Sequence, residues 1–158
     1  MNTNTQRRTL IMALLAVGAV PLLPAGLVAA GKPQITVYKT AGCGCCKDWI
    51  AHLEQNGFAV VAHDVPGTGP YRERYAVPRA LASCHTAVID GYAIEGHVPA
   101  EEIKRLITEK PKVRGLSVPG MPVGSPGMEM QGERRDAFDV VLFDDTGRRE
   151  IYRHYEAR

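Results

Sequence analysis

Ile35-Thr36-Val37-Tyr38-Lys39, then Thr40-Ala41-Gly42-Cys43-Gly44-Cys45-Cys46, then Lys47-Asp48-Trp49-Ile50-Ala51-His52-Leu53-Glu54-Gln55-Asn56, and finally Gly57-Phe58-Ala59-Val60-Val61 form one continuous passage of the chain. The first four residues are β-branched or aromatic and read as a strand. Cys46, Trp49, Ile50 and Leu53 then recur at i, i+3, i+4 and i+7, the apolar stripe of a buried helix, while Asp48, Glu54 and Gln55 lie outside it. Gly57 is a helix stop, and Phe58 to Val61 read as a second strand. Strand, helix and strand in this order make a βαβ unit, with parallel strands and a right-handed crossover.

Downstream, Pro66 to Pro70 is a loop by composition, and Tyr71 to Leu81 is partly helical around Pro78. Thr86-Ala87-Val88-Ile89 and Tyr92-Ala93-Ile94 flank Asp90-Gly91, a pair suited to the positive-φ positions of a tight hairpin turn. A helix follows. Pro99 suits its first turn, Glu101 and Glu102 suit its positive end, Ile103, Leu106 and Ile107 give its stripe, and Pro111 ends it. The order βαβ then ββα is the plan of an α/β, thioredoxin-like fold. Val118 to Gly132 holds three prolines, four glycines and three methionines and reads as a loop. Val140 to Phe143 and Glu150 to Tyr152 then predict an extra C-terminal β-hairpin around Asp145-Thr146-Gly147.

Working towards the start of the chain, Arg7 and Arg8 precede a run from Thr9 to Gly31 without a charged residue, ending in Val28-Ala29-Ala30. A basic start, an apolar run and small residues form a secretory signal pattern, with cleavage expected near Ala30. The paired arginines suggest twin-arginine export, although the aromatic often found downstream is missing; the general secretory route stays open. An uncleaved membrane anchor is the alternative, opposed by Pro21, Pro24 and Gly26. The expectation is therefore a signal peptide over 1–30 and a single domain over 31–158, periplasmic and free of the membrane once cleaved.

The whole chain has 158 residues, with 19 basic against 17 acidic side chains. At 45% hydrophobic and 23% charged, it is neither disordered, collagen-like nor a polytopic membrane protein. Arg7 and Arg8 supply the entire surplus of +2, so the exported part is charge-balanced and lacks the basic surplus expected of a nucleic-acid binder.

The chemistry lies in the sulfurs. Cys43, Cys45 and Cys46 sit where the first strand turns into the first helix, and a helix N-terminus favours thiolate, the form that attacks disulfides and binds metals. Cys43 and Cys46 have redox-dithiol spacing and are the candidate catalytic pair. A redox pair has no use for Cys45, and a Cys45–Cys46 bridge would be strained, so three soft sulfurs on one turn favour a metal site. Cys84 immediately precedes the third strand, beside that helix start in this fold, and is the natural fourth sulfur; the plain alternative is a buried apolar cysteine. In an exported protein, unprotected thiols tend to oxidise.

His85, adjacent to Cys84, and His97, after the fourth strand, are further metal candidates, each weighed against a structural role. His52 lies too far down the helix, and His63 and His154 read as structural or surface residues. Met121, Met128 and Met130 are all the methionines beyond residue 30 and share one Pro/Gly loop. Thioethers are soft ligands that select Cu(I); the alternative is gap-filling on the core.

The segments Thr40 to Trp49, Leu81-Ala82-Ser83-Cys84-His85-Thr86-Ala87, Ile94-Glu95-Gly96-His97-Val98-Pro99 and Pro119 to Glu129 together resemble the CopG-type periplasmic copper-resistance proteins, domain-of-unknown-function family four-eleven. The resemblance spans roughly Gln34 to Tyr155. It implies a thioredoxin-like fold, copper bound through Cys43, Cys45, Cys46 and Cys84, and a part in copper resistance that includes copper redox chemistry.

The leading expectation is an exported protein holding more than one Cu(I) ion in a Cys-thiolate cluster, interconverting Cu(I) and Cu(II), and exchanging copper ions with other periplasmic copper-handling proteins. One alternative is a periplasmic thiol–disulfide oxidoreductase with Cys43 attacking and Cys46 resolving. Another is a structural zinc module of Cys43, Cys46, Cys84 and His85, which leaves Cys45 and the methionine loop idle.

Overall fold

The computed structural model describes residues 31–130, 132 and 134–158. The segment read as an export signal, residues 1–30, lies outside them. Residues 31–158 form a compact unit built on one seven-stranded sheet. Strand β1 (Gln34–Lys39) leads into helix α1 (Gly44–Gln55), and β2 (Ala59–Asp64) returns parallel to β1, with Ile35 opposite Val60. Helix α2 (Gly69–Arg74) and a short 3-10 turn at Arg79–Leu81 precede β3 (Thr86–Ile89) and β4 (Tyr92–Glu95), an antiparallel hairpin. Asp90 and Gly91 take φ values of 48° and 84° at its turn, as the Asp-Gly pair predicts. Helix α3 (Ala100–Glu109) is followed by β5 (Gly115–Ser117), β6 (Phe138–Phe143) and β7 (Arg149–Tyr155).

The strand order is β2-β1-β3-β4-β5-β6-β7. Its first four strands follow the expected βαβ-then-ββα order in a mixed α/β fold, and β6 and β7 are the expected hairpin, extended by several residues. Strand β2 runs to Asp64 because its pairing with β1 continues to Lys39, whose buried ammonium pairs with Asp64. Strand β5 was not expected from the sequence. It is three residues long, yet it pairs parallel to β4 and antiparallel to β6, joining the hairpin to the rest of the sheet. Gly115 makes this possible, since a Cβ there would lie 1.8 Å from the Ala93 carbonyl oxygen.

Alternation along the strands separates two apolar layers. Ile35, Val37, Ile94 and Leu116 pack with Trp49 and Leu53 of α1 and with Ile103 and Leu106 of α3. Ala93 and Phe143 pack instead with Val77 and Leu81, near α2 and the 3-10 turn. The α1 stripe behaves as its spacing predicts: Cys46, Trp49 and Leu53 are buried and Ile50 is half-buried against the core. Among the described residues no helix is long and apolar enough to cross a membrane.

Candidate metal centre

Strand β1 ends at Lys39, and the chain turns through Thr40–Cys43, where the Cys43 N–H donates to the Thr40 carbonyl at 3.1 Å. Cys43 is the N-cap of α1, so Cys45 and Cys46 occupy its first turn, among the unpaired N–H groups of the helix start. Cys43 and Cys46 are joined by a disulfide, with their Cα atoms 5.3 Å apart. Cys45 and Cys84 are free thiols, and both are half-buried.

Each free thiol flanks one end of the disulfide. Cys45 Sγ lies 3.6 Å from Cys43 Sγ, and Cys84 Sγ lies 3.7 Å from Cys46 Sγ. All four sulfurs fall within 4.8 Å of one another. The β1–β3 pairing, Tyr38 opposite Thr86, brings Cys84 from the loop before β3 to the start of α1.

Two buried histidines complete the cluster. His97 Nε2 lies 3.1 Å from Cys84 Sγ, and His85 Nδ1 lies 3.3 Å from it. His97 Nδ1 is 2.8 Å from the Pro126 carbonyl. A carbonyl only accepts, so Nδ1 carries the proton and neutral His97 presents its Nε2 lone pair to the sulfur. A ring nitrogen tied to a backbone carbonyl while the other faces a metal position is the usual arrangement of a ligating histidine. His85 stacks against Trp49 at 4.3 Å between ring centroids, and among the described residues its buried Nε2 has no hydrogen-bond partner.

Burial makes this environment neutral. It holds the His85 imidazole down at about 3, helped by the neighbouring His97, and it lowers His97 as well. Burial, reinforced by the nearby Cys45 sulfur, pushes the Cys84 thiol up to about 12. Cys84 therefore carries a proton at neutral pH, directed at the His97 lone pair. A soft cation would replace that proton, and four sulfurs with a preset imidazole form a donor set that suits one.

The methionine loop closes over this site through its backbone. Three turn hydrogen bonds order it: Ser125 N–H to Pro122 O, Met128 N–H to Ser125 O, and Gly124 N–H to Met128 O. Gly127, at φ 81°, lies so near α1 that a Cβ would stand 2.5 Å from the Trp49 nitrogen and 2.9 Å from the Cys45 carbonyl oxygen. Met121 and Met130 are exposed and Met128 is half-buried, so core gap-filling does not account for the first two.

The remaining histidines take other places. His52 Nε2 accepts the Ala100 N–H at 3.1 Å and so caps α3. His63 is exposed beside Tyr38, and exposed His154 bonds Asp139 at 2.6 Å. Sequence reasoning missed the Pro126 carbonyl, the close approach of Gly127 and the buried Glu95. All three lie in segments that carry the family resemblance, and glycine's positive-φ preference marked Gly127, but neither signal named their partners.

Residues 81–128 match the family described as "Protein of unknown function, DUF411". Among curated protein sequences, none matches the chain. Two solved structures, named copper resistance protein CopG, form 1 and form 2, are each 47% identical to it. Form 1 aligns with a TM-score of 0.75 over 79% of this chain and 98% of its own, and form 2 with 0.74 over 78% and 98%. This chain belongs to the CopG family. The cysteine cluster that could hold metal therefore sits in a chain whose solved CopG relatives are named for copper resistance, and copper ions are the ligands that this kinship and the soft donors together support.

Proposed function

We propose that this CopG-family chain is an exported protein that binds Cu(I) through the thiolates of Cys43, Cys45, Cys46 and Cys84 and uses the Cys43–Cys46 pair to exchange electrons with copper. The observation that carries this reading is the convergence of four cysteine sulfurs within 4.8 Å. Soft thiolates select Cu(I), and bridging sulfurs let four of them hold more than one ion. His97, with its lone pair already aimed at Cys84, and His85 are the supporting nitrogen donors. Met121, Met128 and Met130 stand at the rim as soft thioethers along the approach. Copper is the cargo here, delivered and removed by other periplasmic copper-handling proteins. Export rests on the Arg7-Arg8 and Val28-Ala29-Ala30 pattern, with cleavage near Ala30.

The disulfide defines two states. Closed, it withholds two of the four ligands; open, it supplies all four. When the Cys43 and Cys46 thiols close, two S–H bonds break, one S–S bond forms, and two electrons and two protons leave. That takes two Cu(II) to Cu(I); in reverse, two Cu(I) return the two electrons, two protons are taken up from solvent, the S–S bond breaks and both thiols re-form.

The test is an anaerobic Cu(I) titration of the fully reduced protein with thiol counting. More than one copper per chain is expected, with lower uptake in Cys45→Ser and in Cys84→Ser. Wild-type uptake at the adventitious level would overturn the reading. A second reading, a thiol–disulfide oxidoreductase, is favoured by the disulfide at the start of α1. It requires a reversible Cys43–Cys46 exchange with dithiol substrates in metal-free protein and no dependence on Cys45.

A further inference from the structure

Strand β3 begins only at Thr86, so Ser83, Cys84 and His85 lie outside the regular ladder. Backbone tethering there is sparse: the Gly96 N–H donates to the His85 carbonyl at 3.0 Å. A different group grips this segment. Glu95, at the end of β4 and in register with Thr86, is fully buried. Its Oε1 accepts the Ser83 N–H at 2.7 Å, and its Oε2 accepts the Thr86 hydroxyl at 2.7 Å. One carboxylate therefore holds the residue before Cys84 and the residue after His85.

Arg72 of α2 fastens the same point from the other side. Its Nη1 lies 3.4 Å from Glu95 Oε1, 3.2 Å from the Ser83 carbonyl and 2.7 Å from Thr68 Oγ1. Ser83 also bonds the Gly120 carbonyl, which ties the grip to the loop carrying Pro126. A carboxylate buried in this way is costly, and an apolar residue of similar size is often as stable or more so. The cost is understandable if the carboxylate sets the geometry of what it brackets.

We infer that Glu95, braced by Arg72, is a positioning residue that fixes Cys84 and His85 against the disulfide and His97. In its copper aspect this rests on the proposed function; the placement of Cys84 does not. Without the grip, the 83–85 segment is free to swing. Cys84 then loses its place beside Cys46, and the four-sulfur cluster becomes three sulfurs and one mobile thiol.

The test compares Glu95→Ala, Glu95→Gln and Leu106→Ala with wild type. Gln can still accept the Ser83 N–H and can donate to the Thr86 hydroxyl, so it retains the grip without the charge. Leu106 is buried on α3 and serves as a control for general destabilisation. The first readout is the iodoacetamide alkylation rate of Cys84 relative to Cys45, by peptide mass spectrometry on metal-free protein. In Glu95→Ala, Cys84 is expected to react about tenfold faster relative to Cys45, with Glu95→Gln and Leu106→Ala near wild type. The second readout is Cu(I) affinity by chelator competition, expected to fall roughly 10–100-fold in Glu95→Ala alone, as for loss of a ligand-orienting contact.

An unchanged alkylation ratio in Glu95→Ala overturns the inference. So does an equal change in Glu95→Gln, which would mean that charge rather than position is at work, or an equal change in Leu106→Ala. If Glu95→Ala does not fold, Arg72→Met provides the reading: a smaller shift in the same ratio supports the inference and none overturns it. Wild type that takes up no Cu(I) while the ratio shifts would sink the copper reading and leave the positioning role standing.

Discussion

Cys84 and the two histidines around it show how burial sets protonation. Cys84 is pushed up to about 12 and His85 down to about 3, both chiefly because the surroundings disfavour charge. The site is therefore a thiol beside neutral imidazoles until a soft cation arrives. His154 behaves oppositely, raised by its hydrogen bond to Asp139 at the surface. Proton NMR of the histidine C2 signals is expected to show His154 titrating above 6.5 and His85 and His97 unprotonated there, with His85 still neutral at pH 5. A His85 midpoint near 6.5 would contradict the dry, neutral site. Cys43, Cys45 and Cys46 were legible as a cluster because spacing alone places them on one helical turn. The orientation of His97 was not, because it depends on a carbonyl 29 residues away.

Two elements are joined by contacts that a single substitution can test. Gly127→Ala places a methyl against the Trp49 nitrogen and the Cys45 carbonyl at a φ of 81°. Backbone strain of this kind costs about 1–3 kcal/mol, so a lower melting temperature and faster tryptic cleavage after Arg134 are expected. Unaltered stability would show that the loop does not dock as described. The α1–α3 contact carries a pH dependence. His52 accepts the Ala100 N–H only when neutral, and burial lowers its pKa below 6.5. Its contribution is thus fully present above pH 6.5 and is lost as pH falls from there toward the lower folded value. A Gln at 52 can accept the same N–H without titrating. His52→Gln is therefore expected to gain in urea midpoint relative to wild type as pH drops from 7 to 5, and a constant difference would refute the cap. The Trp49 stripe and the Asp90-Gly91 turn were readable because their signals are local and periodic. Strand β5 was not, because three residues carry no period and its partners lie elsewhere in the chain.

Across the whole sheet, β5 is the splice between the βαβ-ββα part and the C-terminal hairpin. Leu116 sits at its centre, fully buried, paired with Ile94 on one side and Leu142 on the other. Leu116→Ala is expected to cost about 2–5 kcal/mol. Trp49 fluorescence and far-UV circular dichroism should shift together in one urea transition, because one sheet runs through both parts. Separated transitions would show that the β6–β7 hairpin unfolds on its own.

By itself the sequence determined the order of most of the elements and the chemical character of the site. Those follow from local periodicity, turn chemistry and the softness of sulfur, all properties of residue type and spacing. Only the tertiary structure decided which groups face one another: Cys84 beside the Cys43–Cys46 disulfide, His97 aimed at Cys84 by Pro126, and Glu95 beneath the Ser83–Thr86 segment. Such juxtapositions are set by strand pairing and by burial over long separations, where the free energy of one group depends on neighbours that the local sequence does not name.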